Sequence, residues 1–381
     1  MSRSPSALIS MLPLDVVGGG ERFTINACVA AGRGGDPADL WGAGRPLPPL
    51  AGHGERMQFP FHRLDCRRGG TAVLETVPLR ELLRRQADYD LVQVHQHLAN
   101  VASIDVLANA SPWQRVLLTS HGAEPVADLF AKAFEPHAGV EAVEVSRYAT
   151  ERSRDRGIPA RNVSAGIWDA EIAPPRPPLR LAGPLRALAV GRLLPHKGFE
   201  VAVDAVAGLG RSARLTVVGP SGGDAAYERH LRHRAAGAGN VRLAGYLPEA
   251  DRRATIAACD VLLANSSHRF YCGKIVDQVE LFGLVILEGL AAGLLPIASD
   301  IPAFREIAET LGLEAWLYPE RDTAALRGLL AAAADLAAEG RAALVAEAVA
   351  RMRAAYLWDD YWTRAAGRPA AAAAARRGRA A

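Results

Sequence analysis

Cysteine is scarce in this chain of 381 residues. Cys28, Cys66, Cys259 and Cys272 stand far apart, with no CxxC pair and no Cys/His cluster at zinc-ligand spacing. That pattern excludes a disulfide framework and a structural zinc site, and it suits a reducing cytoplasm, the location we expect. Long hydrophobic runs are also missing. The apolar stretch 7–14 is interrupted by Pro13 and closed by Asp15, too short for a membrane span and weak as a signal peptide. The longest apolar run, 281–298, contains Glu288 and Pro296 and reads as a buried helix followed by a strand, so no integral membrane association is expected. Charge of one sign is not in excess either. The formal net charge is +3, and residues 366–381 alone hold four arginines and no acid. The basic balance is a property of the tail, and the body carries no signal for nucleic acid.

What is present is a two-domain length and a soluble composition, half hydrophobic and 22% charged. Short apolar runs alternate with amphipathic stretches, the pattern of βα units that build parallel sheets. Strands are expected at 7–11, 91–94, 115–119 and 142–145 in the first half, and at 186–190, 214–218, 241–243, 261–264 and 295–298 in the second. The proline-rich stretch 170–184 suits a linker. This divides the chain into a Rossmann-like domain over 1–175, a second over 176–365, and a disordered tail over 366–381 with a six-alanine run.

Three clusters carry candidate chemistry. Gly191-Arg192-Leu193-Leu194-Pro195-His196-Lys197-Gly198 follows a strand and opens an amphipathic helix. Free amides, a helix dipole and the cations Arg192 and Lys197 would together form an anion site suited to a diphosphate. A solvated basic turn is the plainer reading of the same residues. Glu280-Leu281-Phe282-Gly283-Leu284-Val285-Ile286-Leu287-Glu288 holds two carboxylates eight residues apart. With Gly283 opening a helix, Glu280 falls in the preceding loop and Glu288 in the second turn, so the pair can reach different parts of one ligand. A carboxylate in so apolar a helix needs a partner, which a ribose hydroxyl pair or a neighbouring arginine would supply. Val16-Val17-Gly18-Gly19-Gly20 joins the first strand to a helix with Phe23, Ala27, Ala30 and Ala31 on one face. Phe23 stands where the dinucleotide fingerprint requires Gly or Ala, which disfavours a Rossmann oxidoreductase. Two further patterns are read as non-functional. Asp88-Tyr89-Asp90 has the D-x-D form but immediately precedes a strand, where acids sit in turns. His268, Cys272 and Asp277 match no established ligand spacing, and no metal is expected.

Taken in order, these clusters, together with Thr119-Ser120-His121-Gly122, Val145-Ser146-Arg147-Tyr148, Val218-Gly219-Pro220, Gly245-Tyr246-Leu247-Pro248, Ser299-Asp300-Ile301-Pro302 and the late Trp358, resemble the family 4 retaining glycosyltransferases. The resemblance covers most of the chain. It implies the GT-B form of the α/β class, two doubly wound domains facing across a cleft, with the acceptor side in the first domain. It also implies metal-independent transfer of a sugar, of glucose or N-acetylglucosamine type, from a nucleotide diphosphate donor, UDP by family frequency. On this resemblance Arg192 and Lys197 hold the diphosphate, Glu288 takes the ribose, and Glu280 and His121 contact the donor sugar near the reacting centre. Gly19, Gly20, Gly283, Leu284 and Val285 complete the donor site. No cofactor is implied, since the nucleotide sugar is a substrate.

The acceptor is expected to be small and hydroxylated, an aminocyclitol or a sugar. His95 and His97 end a strand on the same side and are candidates for its site, as are His268, Tyr271 and Lys274 in the segment 267–279. That segment is longer than the family pattern, and loops at strand carboxyl ends carry specificity. It is similar to loops of sugar transferases in aminocyclitol antibiotic pathways. A phosphorylase, a nucleotide-sugar epimerase and a non-catalytic nucleotide-sugar-binding subunit share the same architecture and remain alternatives. Oligomeric state is not readable from the sequence.

Overall fold

Alternation of β-branched runs with amphipathic helices produces two sheets, one in each of two units. The computed structural model describes residues 6–13, 18–34, 36, 38–43, 60–66, 72–96, 101–121, 139–164, 166–174 and 183–367. The first unit comprises residues 1–165 together with 358–381, and the second comprises 166–357.

This division differs from the expected boundary at 175/176, and the chain also returns to the first unit near Trp358 rather than remaining in the second to 365. The return has a physical cause. Trp358, Tyr361 and Trp362 are buried; the Trp362 indole N–H donates to Asp36 at 2.7 Å, and Gln93 donates to the Tyr361 hydroxyl at 2.9 Å. Order runs slightly past the expected start of the tail, because the Ala366 carbonyl accepts from Arg115 at 2.7 Å. Residues 368–381 lie outside the described residues.

The first unit carries β1 (Ser6–Pro13), β2 (Ala38–Ala43), β3 (Pro60–Asp65), β4 (Ala72–Pro78), β5 (Leu91–Gln96), β6 (Arg115–Ser120), β7 (Val140–Glu144) and β8 (Ala160–Asn162). They lie in the order β4-β3-β2-β1-β5-β6-β7-β8. Pairing is parallel except where β3 meets β2 and β4. Ala7, Ile9, Val92, Val94, Val116 and Leu118 from the central strands form its core. The sequence pattern locates β1, β5, β6 and β7 but not the flanking strands. β4 is an edge strand with Val73 and Leu74 exposed, and β3 places Arg63 against Asp39 of β2 at 2.8 Å. Neither shows the clean alternation of a half-buried strand.

The second unit carries β9 (Leu185–Val190), β10 (Ala213–Val218), β11 (Val241–Gly245), β12 (Val261–Ala264), β13 (Leu295–Ser299) and the two-residue β14 (Leu317–Tyr318). Their order is β11-β10-β9-β12-β13-β14, all parallel. Counted from β9 this is 3-2-1-4-5-6, the doubly wound Rossmann arrangement. The order reverses between β9 and β12, and in the first unit between β1 and β5. Right-handed crossovers leave from opposite faces at such points, which opens a crevice at the strands' carboxyl ends. The glycine-rich turn 18–20, the turn 191–198 and the segment after Ala264 follow three of those strands, and His95 stands near the end of the fourth.

Candidate functional site

In the second unit the turn after β9 meets the segment after β12. Pro195–Lys197 make one turn of 3-10 helix, closed by Gly198 at φ +57°. A Cβ on Gly198 would stand 2.2 Å from the Asn265 carbonyl oxygen, so only glycine permits this approach. The backbones are then tied together, Ser267 N–H donating to the His196 carbonyl at 2.9 Å.

The approach brings the Lys197 ammonium into an ion pair with the Glu280 carboxylate. Ser266 Oγ donates to the same carboxylate oxygen at 2.8 Å. Burial alone would push Glu280 up, but the Lys197 charge, the neighbouring His196 and the Ser266 hydroxyl together hold it below the usual carboxylate range. The Glu280 carboxylate is therefore ionised at neutral pH. An ammonium has three donors, so Lys197 keeps capacity for an incoming anion while Glu280 fixes its position. Sequence reasoning named both residues for separate ligand contacts; the structure shows them bonded to each other. Arg192 of the same turn is exposed.

Three residues past Glu280 the chain enters the helix Leu284–Ala291 through Gly283. Gly283 has φ +114°, and a Cβ there would lie 2.7 Å from the Phe304 ring. Gly283 has no side chain to cap the amides that follow, so the helix start at Leu284 and Val285 presents N–H groups without a partner inside the helix and the positive end of a dipole. Glu288 lies half-buried one turn further on.

Between Ser267 and Glu280 the expected loop is an ordered hairpin. Arg269 pairs with Ile275 in antiparallel fashion, Phe270 N–H donates to the Lys274 carbonyl at 2.8 Å, and Val276 N–H donates to His268 at 2.9 Å. Both its ends root beside the Lys197–Glu280 pair. Glu320 grips His268 twice, at the ring Nδ1 (2.8 Å) and the backbone N–H (2.7 Å). The Tyr271 ring packs on His230 and Tyr227, with centroids 4.6 and 5.3 Å apart. Arg321 bonds both the buried Glu200 (2.7 Å) and the Arg269 carbonyl (3.1 Å). Of the loop residues expected at the acceptor, His268 and Tyr271 are thus engaged in anchoring the hairpin. Lys274 remains exposed, its ammonium 5.9 Å above the Phe270 ring. Ser266, Glu320 and Arg321 were not anticipated; the only sequence signal for them was their place at strand ends.

In the first unit Gly19 and Gly20 open the helix Gly19–Arg33, and Phe23 at the start of its second turn explains the broken glycine fingerprint. The Phe23 ring packs on His121 (centroids 4.7 Å), His95 (5.9 Å), Trp358 (4.9 Å) and Tyr361 (5.3 Å). His95 Nδ1 lies 3.0 Å from His121 Nε2. His121 is half-buried, whereas His95 is fully buried. His95 therefore does not line an acceptor surface, a correction that follows from its inward position on β5 beside His121. His97 lies outside the described residues. In the D-x-D segment the Tyr89 hydroxyl donates to Asp39 at 2.9 Å and accepts from the Trp41 indole at 3.2 Å. Among the described residues no group of three or more His, Cys, Asp or Glu is placed to hold a metal ion.

Glu144, at the end of β7, is a buried carboxyl missed by sequence reasoning. Ser153 Oγ donates to one of its oxygens at 2.6 Å, and the other is buried without a partner. Burial pushes its pKa up to about 7, against opposing bonds from Ser153 and the Ser120 backbone. In the unfolded chain the carboxyl loses its proton in the ordinary range, so across the window from there to about pH 7 folding retains a proton that unfolding releases. This group's contribution makes stability fall as pH rises through that window. Glu144→Gln, which stays neutral, is expected to raise the melting temperature at pH 8 by roughly several degrees and to change it little at pH 5. Equal shifts at both pH values in calorimetry would refute this.

Comparison with known proteins adds three findings. Residues 176–348 match the family model described as glycosyl transferases group 1. A phosphatidyl-myo-inositol mannosyltransferase of Mycobacterium leprae (strain TN) is 34% identical over 163 residues, which are 41% of this chain and 39% of the relative. The matched stretch thus spans well under half the length of that curated relative. Among solved structures, Anabaena HepE in complex with UDP superposes with TM-score 0.68 at 15% identity, over 95% of this chain and 98% of that one. A glycosyltransferase involved in avilamycin A biosynthesis superposes with TM-score 0.56 at 19% identity, over 95% and 96%. The fold is the two-domain α/β arrangement of the GT-B glycosyltransferases.

Proposed function

We propose that this chain is a metal-independent, retaining glycosyltransferase that moves a sugar from a nucleotide diphosphate donor, UDP foremost, to a small polar hydroxylated acceptor such as an aminocyclitol or a sugar. The observation that carries the reading is the Lys197–Glu280–Ser266 cluster at the switch point of the second sheet, followed within four residues of Glu280 by an uncapped helix start. A held ammonium beside free helix amides suits a diphosphate. It also suits the transition state, because cleavage of the anomeric carbon–oxygen bond places negative charge on the departing diphosphate. Glu280 then stands at the sugar, Glu288 at the ribose, and His121 supplies a further polar contact to the reacting sugar. The acceptor hydroxyl forms the new bond to the anomeric carbon on the face the diphosphate leaves, and its proton passes to the departing phosphate oxygen. The avilamycin enzyme supports an antibiotic-pathway acceptor, and the mannosyltransferase name adds mannose to the sugars worth trying.

The test is incubation with UDP-, GDP-, ADP- and dTDP-sugars, with an aminocyclitol or a sugar as acceptor and excess EDTA present. Proton NMR of the product is expected to show the donor's anomeric configuration retained. An inverted product, phosphate-dependent cleavage or conversion of the donor sugar without transfer would each overturn the reading. Shortening the hairpin by removing residues 269–277 is expected to spare donor hydrolysis while transfer falls at least about tenfold, because the scaffold carries the chemistry and the loop the acceptor. Unchanged transfer in the folded variant would leave the hairpin without that role.

A further inference from the structure

The two histidines of the first unit form an unusual bond. Their ring planes differ by only 7° and their centroids are 5.3 Å apart, while Nδ1 of His95 and Nε2 of His121 are 3.0 Å apart. The centroid separation exceeds the nitrogen separation by about twice the radius of an imidazole ring. Both nitrogens therefore lie on the line joining the centroids, and the rings are coplanar and in line, the best geometry for N–H···N. One ring must donate and the other accept.

His95 decides which. It is fully buried, burial alone pushes its pKa down to about 3, and it is neutral at every working pH. Its other nitrogen, Nε2, is buried without a partner. An orphaned buried N–H is rarer and costlier than an orphaned acceptor, so the proton of His95 belongs on Nδ1, where it has a use. His121 must then accept at Nε2 and carry its own proton on Nδ1.

We propose that His95 is a positioning residue that donates Nδ1–H to Nε2 of His121, locking the plane of that ring and fixing its proton on Nδ1, so that any acceptor atom at Nδ1, a sugar hydroxyl oxygen included, meets an N–H. The importance of this for catalysis rests on the glycosyltransferase reading; the tautomer itself does not.

Nitrogen NMR of the full chain labelled with ¹⁵N-histidine reports the tautomer directly. Wild type is expected to show His121 protonated at Nδ1 alone. His95→Phe, which keeps a planar ring and removes the donor, is expected to release His121 to the other tautomer and to lower kcat about 10- to 100-fold with KM little changed, the scale for losing a group that orients a functional histidine. His95→Asn, whose amide nitrogen replaces Nδ1, is expected to recover both the signature and most of the rate. An unchanged tautomer in His95→Phe would overturn the proposal, as would a rate equal to wild type or a His95→Asn variant as slow as His95→Phe. If wild type turns over no nucleotide sugar, the glycosyltransferase reading fails, and the spectra alone decide whether His95 positions His121.

Discussion

Lys197→Ala is expected to lower kcat/KM by at least ~100-fold, the scale for removing one preorganised stabiliser of transition-state charge. The loss has two parts with separable signatures. The ammonium no longer meets the departing diphosphate, and Glu280 loses the charge that keeps it ionised in a buried site. An uncompensated carboxylate in such a place is destabilising, so the melting temperature falls as well. Adding Glu280→Gln to Lys197→Ala removes the stranded charge and is expected to restore much of the stability but none of the rate. Arg192→Ala, at an exposed position of the same turn, is expected to slow turnover while leaving melting unchanged. Steady-state kinetics and calorimetry on these variants check the account. Near-normal turnover in Lys197→Ala would remove the lysine from the diphosphate site.

Glu280→Gln alone is expected to reduce kcat by about 100-fold with KM within a few-fold of wild type, the pattern for an interaction made chiefly in the transition state. The amide still accepts from Ser266, whose hydroxyl lies 2.8 Å from the present carboxylate oxygen. It carries no charge to hold Lys197 in position or to face the positive character that develops on the sugar. Glu288→Gln is the internal control. From the second turn of its helix, Glu288 is assigned to nucleotide binding, and its loss is expected to raise KM with kcat retained. Equal effects on both parameters in both variants would contradict the division of roles.

The central strands and the two carboxylates were legible in the sequence because each obeys a local rule. Buried parallel strands read as continuous apolar runs, and Gly283 marks a helix start that only glycine can make against Phe304. The strands β2, β3, β4 and β8 were not legible, since each mixes polar and apolar residues without clean alternation, β4 and β8 at the two edges of the sheet. Nor was the return of Trp358, Tyr361 and Trp362 to the first unit, whose partners are Phe23, Gln93 and Asp36. Such pairings depend on distance in space, and no periodicity reports it. The same holds at the site. Arg192 and Lys197 were identified in a turn after a strand, Glu280 in the loop before a helix, and His121 through the family resemblance. That Lys197 bonds Glu280, that His95 bonds His121, and that Glu320 grips His268 required the fold. Phe23 was read as a defect in a glycine motif and proves to be the aromatic floor beneath two histidines.

Every catalytic role proposed above depends on a nucleotide diphosphate binding through Lys197 in the crevice of the second unit. Thermal unfolding with UDP or a UDP-sugar at about 100 times its dissociation constant tests this most directly, because such a ligand adds roughly 2.7 kcal/mol to the folded state. Wild type is expected to rise by several degrees, unaffected by EDTA, and the rise is expected to be abolished in Lys197→Ala at the same ligand concentration. No rise with any nucleotide diphosphate or its sugars, or the same rise in Lys197→Ala as in wild type, would contradict it.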